Sequence, residues 1–525
     1  MFSSVLSATV VGVSCIPIQI EADVSNGLPM FSMVGYLSAR VKEAQDRVRT
    51  ALKNTGFQFP AKRITVNLSP ADIRKEGTGF DLPIAAALLC AFGYLEKECV
   101  ENVCMAGELS LNGEVKGVNG ILPIVDSAVK NGCRLCIVPR DNIKETEYIY
   151  EIPVLGVASL KEFMEHAAMN DWGAKRNSVK DWPEHARESY PDFSEVIGQE
   201  AAKEAAVIAA AGFHNFLMIG TKGSGKTMIA NSIPSLFPAL SREEAMEISG
   251  IYSAAGLLSG QNPFLIQRPF RAPHHTVSPV AMAGGGRIPR PGEITLAHKG
   301  VLFLDELPEF HRASLEILRQ PLEMHKICIS RIYGNYEFPA DFLLVGAMNP
   351  CPCGYYPDRN RCSCTDYQVE RYMGHISGPL LDRFDLCAEV ADVTPEMLRT
   401  EKRGRTSLEI RQEVSRVHKI QKERYVGTEI RFNSSLSGKE TEQYCETSKE
   451  GKKLLQKAYE KMNLSLRAYH KILKTARTIA DLDGSEKIEE QHISEAVCYR
   501  TLDKNFGNKE MRNGRQGKNL VLYQV

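Results

Sequence analysis

The chain has 525 residues, which is enough for about three domains. Hydrophobic residues make up 43% and charged residues 24%, as in ordinary globular proteins, and this composition excludes disorder on a large scale. Lysine plus arginine and aspartate plus glutamate both total 64, so the zero net charge neither favours nor excludes a nucleic-acid partner.

Three features argue against export or membrane insertion. The first basic residue is Arg40, so the apolar start lacks the charged region of a secretory signal. The longest apolar stretch, residues 81–95, is too short and too interrupted to span a bilayer. Fourteen cysteines without an export signal indicate reduced thiols or a metal site. We therefore expect a cytoplasmic protein without a membrane segment.

Residues 1–165 mix short strands with helices and predict a first domain of α+β type. β-Branched runs at 64–70 and 135–139 are typical of strands. Apolar residues at helical spacing over 38–56 predict a helix that ends at Gly56.

A polar segment without periodicity, residues 166–190, predicts a linker. It contains the only two tryptophans of the chain, Trp172 and Trp182. Because large aromatic rings gain much from burial, we expect both to dock on a neighbouring domain.

Residues 191–395 alternate strands with helices, which predicts an α/β domain around a parallel sheet. Three apolar runs, 214–220, 300–306 and 341–349, have the length and composition of buried parallel strands.

The strongest motif, GTKGSGKT, follows the first of these runs and precedes a helical pattern. It fits the phosphate-binding pattern G-x-x-x-x-G-K-[ST], whose glycines let backbone N–H groups curl round phosphate oxygens. Lys226 is predicted to reach the β- and γ-phosphates of ATP, and Thr227 to bind Mg²⁺. The predicted phosphate-loop residues are Gly220, Thr221, Lys222, Gly223, Ser224, Gly225, Lys226 and Thr227.

Two other strand ends carry polar groups. Asp305 and Glu306 follow a short apolar strand, and ligands of open α/β sheets bind at that end of the strands. Asp305 is predicted to hold Mg²⁺ through water, and Glu306 to polarise the attacking water. Asn349 ends the next apolar run, where it positions that water, senses the γ-phosphate or simply opens the turn before Pro350.

Three arginines are candidates for sensing or stabilising the γ-phosphate. Arg383, in SGPLLDRFD, is the candidate arginine finger for ATP bound by the next subunit, because a guanidinium group suits the developing charge. Arg371 is a rival for that role. Arg467, on a predicted helix, either reports the nucleotide state to a helical lid or is an ordinary surface arginine.

The loop after Asn349 contains two C-x-C pairs, formed by Cys351, Cys353, Cys362 and Cys364. Four thiolates suit a tetrahedral Zn²⁺ ion, but the usual spacing is C-x-x-C. Zinc binding and free thiols on a loop therefore both stay open. We interpret His274 and His275 as part of a polar loop near the nucleotide or a pore rather than as a metal site.

Residues 396–505 contain few helix breakers and predict a helical lid, and residues 506–525 predict a frayed tail. From residue 401 to the end, 26 Lys and Arg against 18 Asp and Glu give an excess of 8 positive charges. This basic part suits a phosphate backbone, although a solvated helical face explains it equally well.

The segments GSGKT, FRAPHHT, PGEITLAHKGVLFLDELPEF, NPCPCG, SGPLLDRFD and RAYHKILKTARTIADL follow one another along the chain. In this order they resemble the YifB/ComM family of magnesium-chelatase-like AAA+ ATPases. One departure lies in the phosphate loop, which usually begins GPPG in the family, whereas Thr221 and Lys222 stand here.

The resemblance implies a homo-hexameric ring in which an AAA+ module carries a helical lid. It also implies a DNA helicase that drives branch migration on single-stranded or branched DNA, in recombination or natural transformation. Two alternatives stay open, namely a magnesium-chelatase-type motor subunit and a protein-remodelling ATPase.

The first domain resembles the Lon-protease-like domain of this family, in RKEGTGFDLPIAAALL and AGELSLNGEVKGVNGILPIV. A Lon-type peptidase needs a serine activated by a lysine. The turn that would hold the serine contains Thr78, Gly79 and Phe80. The segment that would hold the lysine contains Ile121 and Leu122. We therefore expect no peptidase activity, and instead a role in assembly or DNA contact.

Overall fold

The computed structural model describes residues 1–168, 172–173, 176–177, 182, 190–258, 262–332, 334–392 and 404–500. The predicted tail, most of the predicted linker and the predicted boundary at residue 395 lie outside these residues. Among the helices of the described residues, none has the length and apolar content that a membrane crossing needs.

The first domain is built on a mixed β-sheet. Its strands are β1 (Phe2–Val11), β2 (Ser14–Ser25), β3 (Met30–Val34), β4 (Arg63–Ser69), β5 (Val103–Met105), β6 (Glu108–Leu109), β7 (Val115–Lys116), β8 (Leu135–Pro139) and β9 (Val154–Val157). Seven of them form one sheet in the order β3-β4-β2-β1-β5-β8-β9, and β6 pairs with β7. The β1–β2 and β2–β4 pairs are antiparallel, whereas β5–β8 and β8–β9 are parallel. Both predicted strands are confirmed as β4 and β8.

The helices of this domain cover the sheet. They are Ala39–Lys42, Ala44–Asn54, Asp81–Phe92, Lys97–Val100, Ile121–Lys130 and Leu160–Ala168. The predicted helix over 38–56 is thus divided into two at Glu43, and Gly56 follows its end with φ +94°.

The helix Asp81–Phe92 is almost wholly buried, which explains its nearly continuous apolar sequence. Its first residue, Asp81, is fully buried and accepts hydrogen bonds from Arg47 Nε at 2.8 Å and from the Leu109 backbone N–H at 3.1 Å. A buried carboxylate is tolerated only when it is paired in this way. Asp81 therefore stabilises the junction of two helices with the β6–β7 hairpin.

The central domain is built on a parallel sheet. Its strands are β10 (Phe216–Gly220), β11 (Phe270–Arg271), β12 (Gly284–Gly285), β13 (Arg290–Pro291), β14 (Val301–Leu304), β15 (Lys326–Arg331), β16 (Gly334–Pro339), β17 (Leu343–Met348) and β18 (Leu386–Val390). The sheet order is β11-β14-β17-β10-β18, and every neighbouring pair is parallel. The three predicted strands are therefore confirmed as β10, β14 and β17, which lie side by side. Two hairpins, β12–β13 and β15–β16, project from this sheet domain.

The helices around the central sheet are Glu200–Gly212, Lys226–Ser232, Arg242–Ala255, Pro279–Ala283, Glu293–Leu296, Arg312–Glu316, Pro321–Met324, Asp366–Met373 and Gly378–Leu381. The C-terminal part is helical, as predicted, with helices Ser407–Arg424, Gly438–Tyr444, Lys449–Lys461, Leu466–Leu482 and Glu490–Cys498. Its buried side chains belong to the same apolar core as one face of the parallel sheet, for example Val414, Ala476 and Val345.

Both tryptophans dock as predicted. Trp182 donates its indole N–H to a backbone carbonyl of the central domain at 2.7 Å. Its ring lies against Tyr148 of the first domain and Phe264 of the central domain. Trp172 is buried beside Phe163 of the first domain.

A buried charge cluster joins the C-terminal helices to the amino-terminal edge of the central sheet. Asp385 lies 3.0 Å from Lys471 Nζ and 3.8 Å from His214 Nδ1, and it accepts the Asn215 backbone N–H at 3.1 Å. Burial favours the neutral carboxyl group, but Lys471 and His214 outweigh burial and hold the pKa of Asp385 well below its ordinary value.

Because its pKa is depressed, Asp385 stabilises the fold above the ordinary carboxyl pKa of about 4, and that stabilisation is lost as the pH falls further. We expect Asp385→Asn to reduce the free energy of unfolding near neutral pH by about 3–5 kcal/mol, since it leaves Lys471 without its carboxylate. The exposed pair of Lys130 and Asp126 provides a matched control, and Asp126→Asn should cost less than about 1 kcal/mol. Urea unfolding followed by circular dichroism measures both, and equal midpoints for the two variants would contradict this account.

Candidate functional site

The phosphate-binding motif forms a tight loop between the buried strand β10 and the helix Lys226–Ser232. Gly223 and Gly225 have φ values of +82° and +98°, which side-chain-bearing residues rarely adopt. Gly220 is required for space, because a Cβ there would lie 2.2 Å from the Val390 carbonyl oxygen. The loop therefore depends on glycine at three positions.

The Lys226 ammonium group lies across this loop. It donates to the Gly220 and Thr221 carbonyl oxygens at 2.8 and 2.7 Å and to Asn349 Oδ1 at 3.1 Å. Burial lowers the pKa of Lys226, and nearby carboxylates partly oppose that shift. The structure thus brings the predicted lysine and Asn349 into direct contact.

The two carboxylates predicted at the end of β14 lie beside the loop. Thr227 Oγ1 donates to Asp305 Oδ2 at 2.8 Å, so the two predicted Mg²⁺ ligands are adjacent. Hydroxyl and carboxylate oxygens are ligands that Mg²⁺ prefers, and the residues therefore fit this ion. The next residue, Glu306, has φ +51° and a side chain that is 53% exposed. A strained, exposed carboxylate at a strand end is typical of a functional site.

A contact that sequence reasoning missed involves Glu306. Its Oε2 lies 3.5 Å from His275 Nδ1, and the rings of His274 and His275 are 4.0 Å apart. The available signal was that both histidines shortly follow the end of β11, the strand that neighbours β14. Parallel neighbours end at the same edge, so this loop and Glu306 had to be close.

Arg383 and Arg467 lie elsewhere. Both line a cavity next to Asn215, which immediately precedes β10, whereas the phosphate loop follows β10. A strand of five residues spans about 16 Å, so neither arginine reaches the phosphate loop of its own chain. Arg383 forms an ion pair with Glu323. Arg371 is exposed on the helix Asp366–Met373.

The four cysteines of the C-x-C pairs come together. Their Sγ atoms all lie within 4.8 Å of one another. The Cys351–Cys353, Cys353–Cys362 and Cys351–Cys362 Sγ distances are 3.3, 3.5 and 3.8 Å. A zinc–sulfur distance of about 2.3 Å gives sulfur–sulfur edges of about 3.8 Å in a tetrahedron, so the cluster has the size of a Zn²⁺ site. A hydrogen bond from the Tyr355 backbone lowers the pKa of the Cys353 thiol to about 6, which favours the thiolate.

In the first domain, the segment that would hold the lysine of a Lon-type peptidase packs against the central domain. Ile121 and Leu122 are buried, and the Leu122 backbone N–H donates to Ser253 Oγ at 3.3 Å. Ser253 belongs to the central-domain helix Arg242–Ala255. This segment therefore forms part of an interface between domains.

Comparison with known proteins identifies three matching family regions. Residues 192–398 match "Magnesium chelatase, subunit ChlI", residues 20–142 match "Subunit ChlI of Mg-chelatase", and residues 404–500 match "Magnesium chelatase, subunit ChlI C-terminal".

Full-length relatives agree with these matches. The competence protein ComM of Haemophilus influenzae is 43% identical over 508 residues, which are 95% of this chain and 97% of ComM. YifB of Escherichia coli is 43% identical over 506 residues, 96% of this chain and 97% of YifB. The archaeal Lon protease of Archaeoglobus fulgidus is 31% identical over 150 residues, 28% of this chain and 24% of that protein, in the N-terminal region.

The close contact at Gly220 makes a specific prediction. Gly220→Ala should weaken ATP binding by at least about tenfold, because the added Cβ displaces either the loop or β18. Gly250→Ala is the matched control, since a Cβ there meets nothing within 4 Å and helix interiors favour alanine over glycine by about 1 kcal/mol. Binding of a fluorescent ATP analogue measures both variants. Normal affinity in Gly220→Ala would contradict the tight approach of β10 to β18.

Proposed function

The chain belongs to the YifB/ComM family of magnesium-chelatase-like AAA+ proteins, and we propose that it is a cytoplasmic motor that uses ATP hydrolysis to remodel DNA. ATP with Mg²⁺ is the cofactor that the family implies. The observation that carries the DNA part of the proposal is a pair of arginine-bearing hairpin tips that lie against each other.

The residues around the phosphate loop divide the work of hydrolysis. Lys226 and the loop N–H groups hold the phosphates, and Thr227 and Asp305 would hold Mg²⁺, which neutralises charge on the phosphate oxygens. Glu306 polarises the attacking water, and Asn349 orients it. The Lys226–Asn349 and Thr227–Asp305 contacts support this assignment, because they bring four of the five groups within hydrogen-bonding distance of a partner.

Arg383 and Arg467 act on the nucleotide of the neighbouring subunit. They line one cavity at the amino-terminal edge of the sheet, opposite the edge that carries the phosphate loop. This placement supports a role in trans for Arg467 as well as for Arg383. A complete ATP site then requires two subunits, which supports a ring, and the family leads us to propose a hexamer.

The DNA surface consists of the tips of the two hairpins. Arg287 and Ile288 are exposed at the β12–β13 tip, and Arg331 and Ile332 are exposed at the β15–β16 tip. Arg331 Nε donates to the Gly286 carbonyl oxygen at 3.3 Å, so the two tips form one surface. Guanidinium groups bind backbone phosphates, and the exposed isoleucines suit the faces of unstacked bases.

The β12–β13 hairpin is also connected through the chain to the neighbourhood of the Glu306 carboxylate. The segment from His275, beside Glu306, passes through the short helix Pro279–Ala283 directly into β12. DNA contact at the tips therefore has a short route to the hydrolytic site. This route supports single-stranded or branched DNA as the activating partner, in recombination or, by analogy with the competence protein ComM, in natural transformation.

Zn²⁺ is the metal that the cysteine cluster fits best. Soft thiolate ligands in a tetrahedral arrangement select zinc among common cellular divalent ions. Four cysteine ligands leave no open position for water, so this ion would stabilise the loop and take no part in hydrolysis.

The proposed motor is tested by ATP hydrolysis with and without single-stranded, duplex and four-way-junction DNA. We expect DNA to stimulate turnover, and Glu306→Gln to abolish it, because the attacking water is no longer polarised. The double variant Arg287→Ala, Arg331→Ala should keep basal turnover and lose most of the stimulation, whereas Lys161→Ala removes an exposed charge from the first domain and should change neither. Indifference to every form of DNA would instead favour a chelatase-type or protein-remodelling motor.

The division of the site between subunits is tested by mixing variants. Lys226→Ala and Arg383→Ala should each be inactive alone, with losses of roughly 10³-fold or more for the arginine. A mixture should regain turnover, because Lys226 of one subunit then faces Arg383 of another. A mixture of Lys226→Ala with Glu306→Gln is the control and should stay inactive, since both groups belong to the same half-site. Failure of the first mixture would assign Arg383 another role.

A further inference from the structure

The cysteine loop, residues 351–364, contacts the phosphate loop directly. Arg361 Nη1 donates to Asp392 Oδ2 at 2.8 Å, and the other oxygen of Asp392 accepts the Thr221 hydroxyl. Gly354 lies against Lys222, whose backbone nitrogen would be 3.5 Å from a Cβ at residue 354. Lys222 of the phosphate loop therefore contacts the cysteine loop, and Thr221 is linked to it through Asp392.

The link to Asp392 depends on the side chain of residue 221. The Thr221 hydroxyl group donates to Asp392, and a residue without a hydroxyl group could not make this hydrogen bond.

The cysteine loop is held by its thiols and by short turns, in which the Arg361 and Cys362 backbone N–H groups donate to the Asp358 carbonyl oxygen. Residues 351–364 contain no helix or strand. Their packing is a small cluster of the four cysteines with Tyr355, Tyr356 and two residues of the following helix. The Arg361 guanidinium group lies 4.2 Å from the centroid of the Tyr355 ring, so its direction depends on the fold of the loop between the two C-x-C pairs.

We propose that the metal-loaded cysteine loop clamps the phosphate loop in its nucleotide-binding conformation through Arg361, Asp392 and Thr221. ATP affinity then depends on occupation of the four-cysteine site. This inference rests on the proposed zinc site and adds a regulatory role to it. Removal of the metal by a competing chelator frees the loop. Part of the free energy of nucleotide binding is then needed to order the loop again, so the affinity for ATP falls.

The loop offers its own matched control. Arg361 reaches the phosphate loop through Asp392. Arg359 pairs with Asp366 on the following helix, donates to the Cys364 carbonyl oxygen at 3.0 Å and makes no contact with the phosphate loop among the described residues. Arg361→Ala and Thr221→Val should each retain the metal and weaken ATP binding by about two- to fivefold, as expected for a link through a half-exposed ion pair. Arg359→Ala should retain normal affinity.

The experiment uses the purified full chain and two independent measurements, zinc content by mass spectrometry and affinity for a fluorescent ATP analogue. We expect one zinc ion per chain, a loss of affinity after chelation, and recovery when Zn²⁺ alone is added back. The double variant Cys362→Ser, Cys364→Ser should lose both metal and affinity, and reversible chelation provides the same comparison without a change of sequence.

The outcomes separate the two proposals. Bound zinc with unchanged affinity after chelation and in Arg361→Ala would overturn the clamp and leave the metal site standing. A purified chain that holds no zinc and takes up none would overturn both. Equal loss of affinity in Arg359→Ala and Arg361→Ala would also overturn the clamp, because the effect would then not pass through Asp392.

Discussion

The parallel pairing of β10, β14 and β17 is the constraint on which the rest of the molecule depends. Ile219 pairs with Met348 and Leu304 pairs with Gly346, so the three strands end within about three residues of one another. Because the strands are parallel, their carboxyl ends all lie at the same edge of the sheet. The phosphate loop, the carboxylates and Asn349 therefore meet at one edge, and whatever precedes the strands collects at the other.

The C-terminal helices follow the same constraint. They share an apolar core with the sheet and are anchored at its amino-terminal edge by Asp385 and Lys471. Within them, the buried Asp481 accepts hydrogen bonds from Arg424 and Arg477. Burial of paired charges inside one continuous core resists pivoting of these helices on their own sheet. The C-terminal helices and the parallel sheet are therefore parts of one packed unit.

The sequence predicted most of the features that depend on residues close together in the chain. The strand–loop–helix pattern around Lys226 predicted the phosphate loop, and apolar runs predicted β10, β14 and β17, because both depend on neighbours in the chain. The contacts between His275 and Glu306 and between Thr221 and Asp392 join residues 31 and 171 positions apart, and no periodicity reports such distances. The sequence also could not predict the sheet edge at which Arg467 lies, because that position depends on how the C-terminal helices pack on the sheet.

The opposite placement of the phosphate loop and the two arginines gives each subunit two different faces. A contact between unlike faces is head-to-tail, so it repeats without limit unless the rotation between neighbours closes a circle. In the proposed ring the nucleotide lies inside this contact and stabilises it while bound, so ATP joins the subunits as well as driving them. In that proposed ring, a small change of the rotation at one contact would turn a flat ring into a spiral with a single seam, and the spiral would have a direction along a strand enclosed by it.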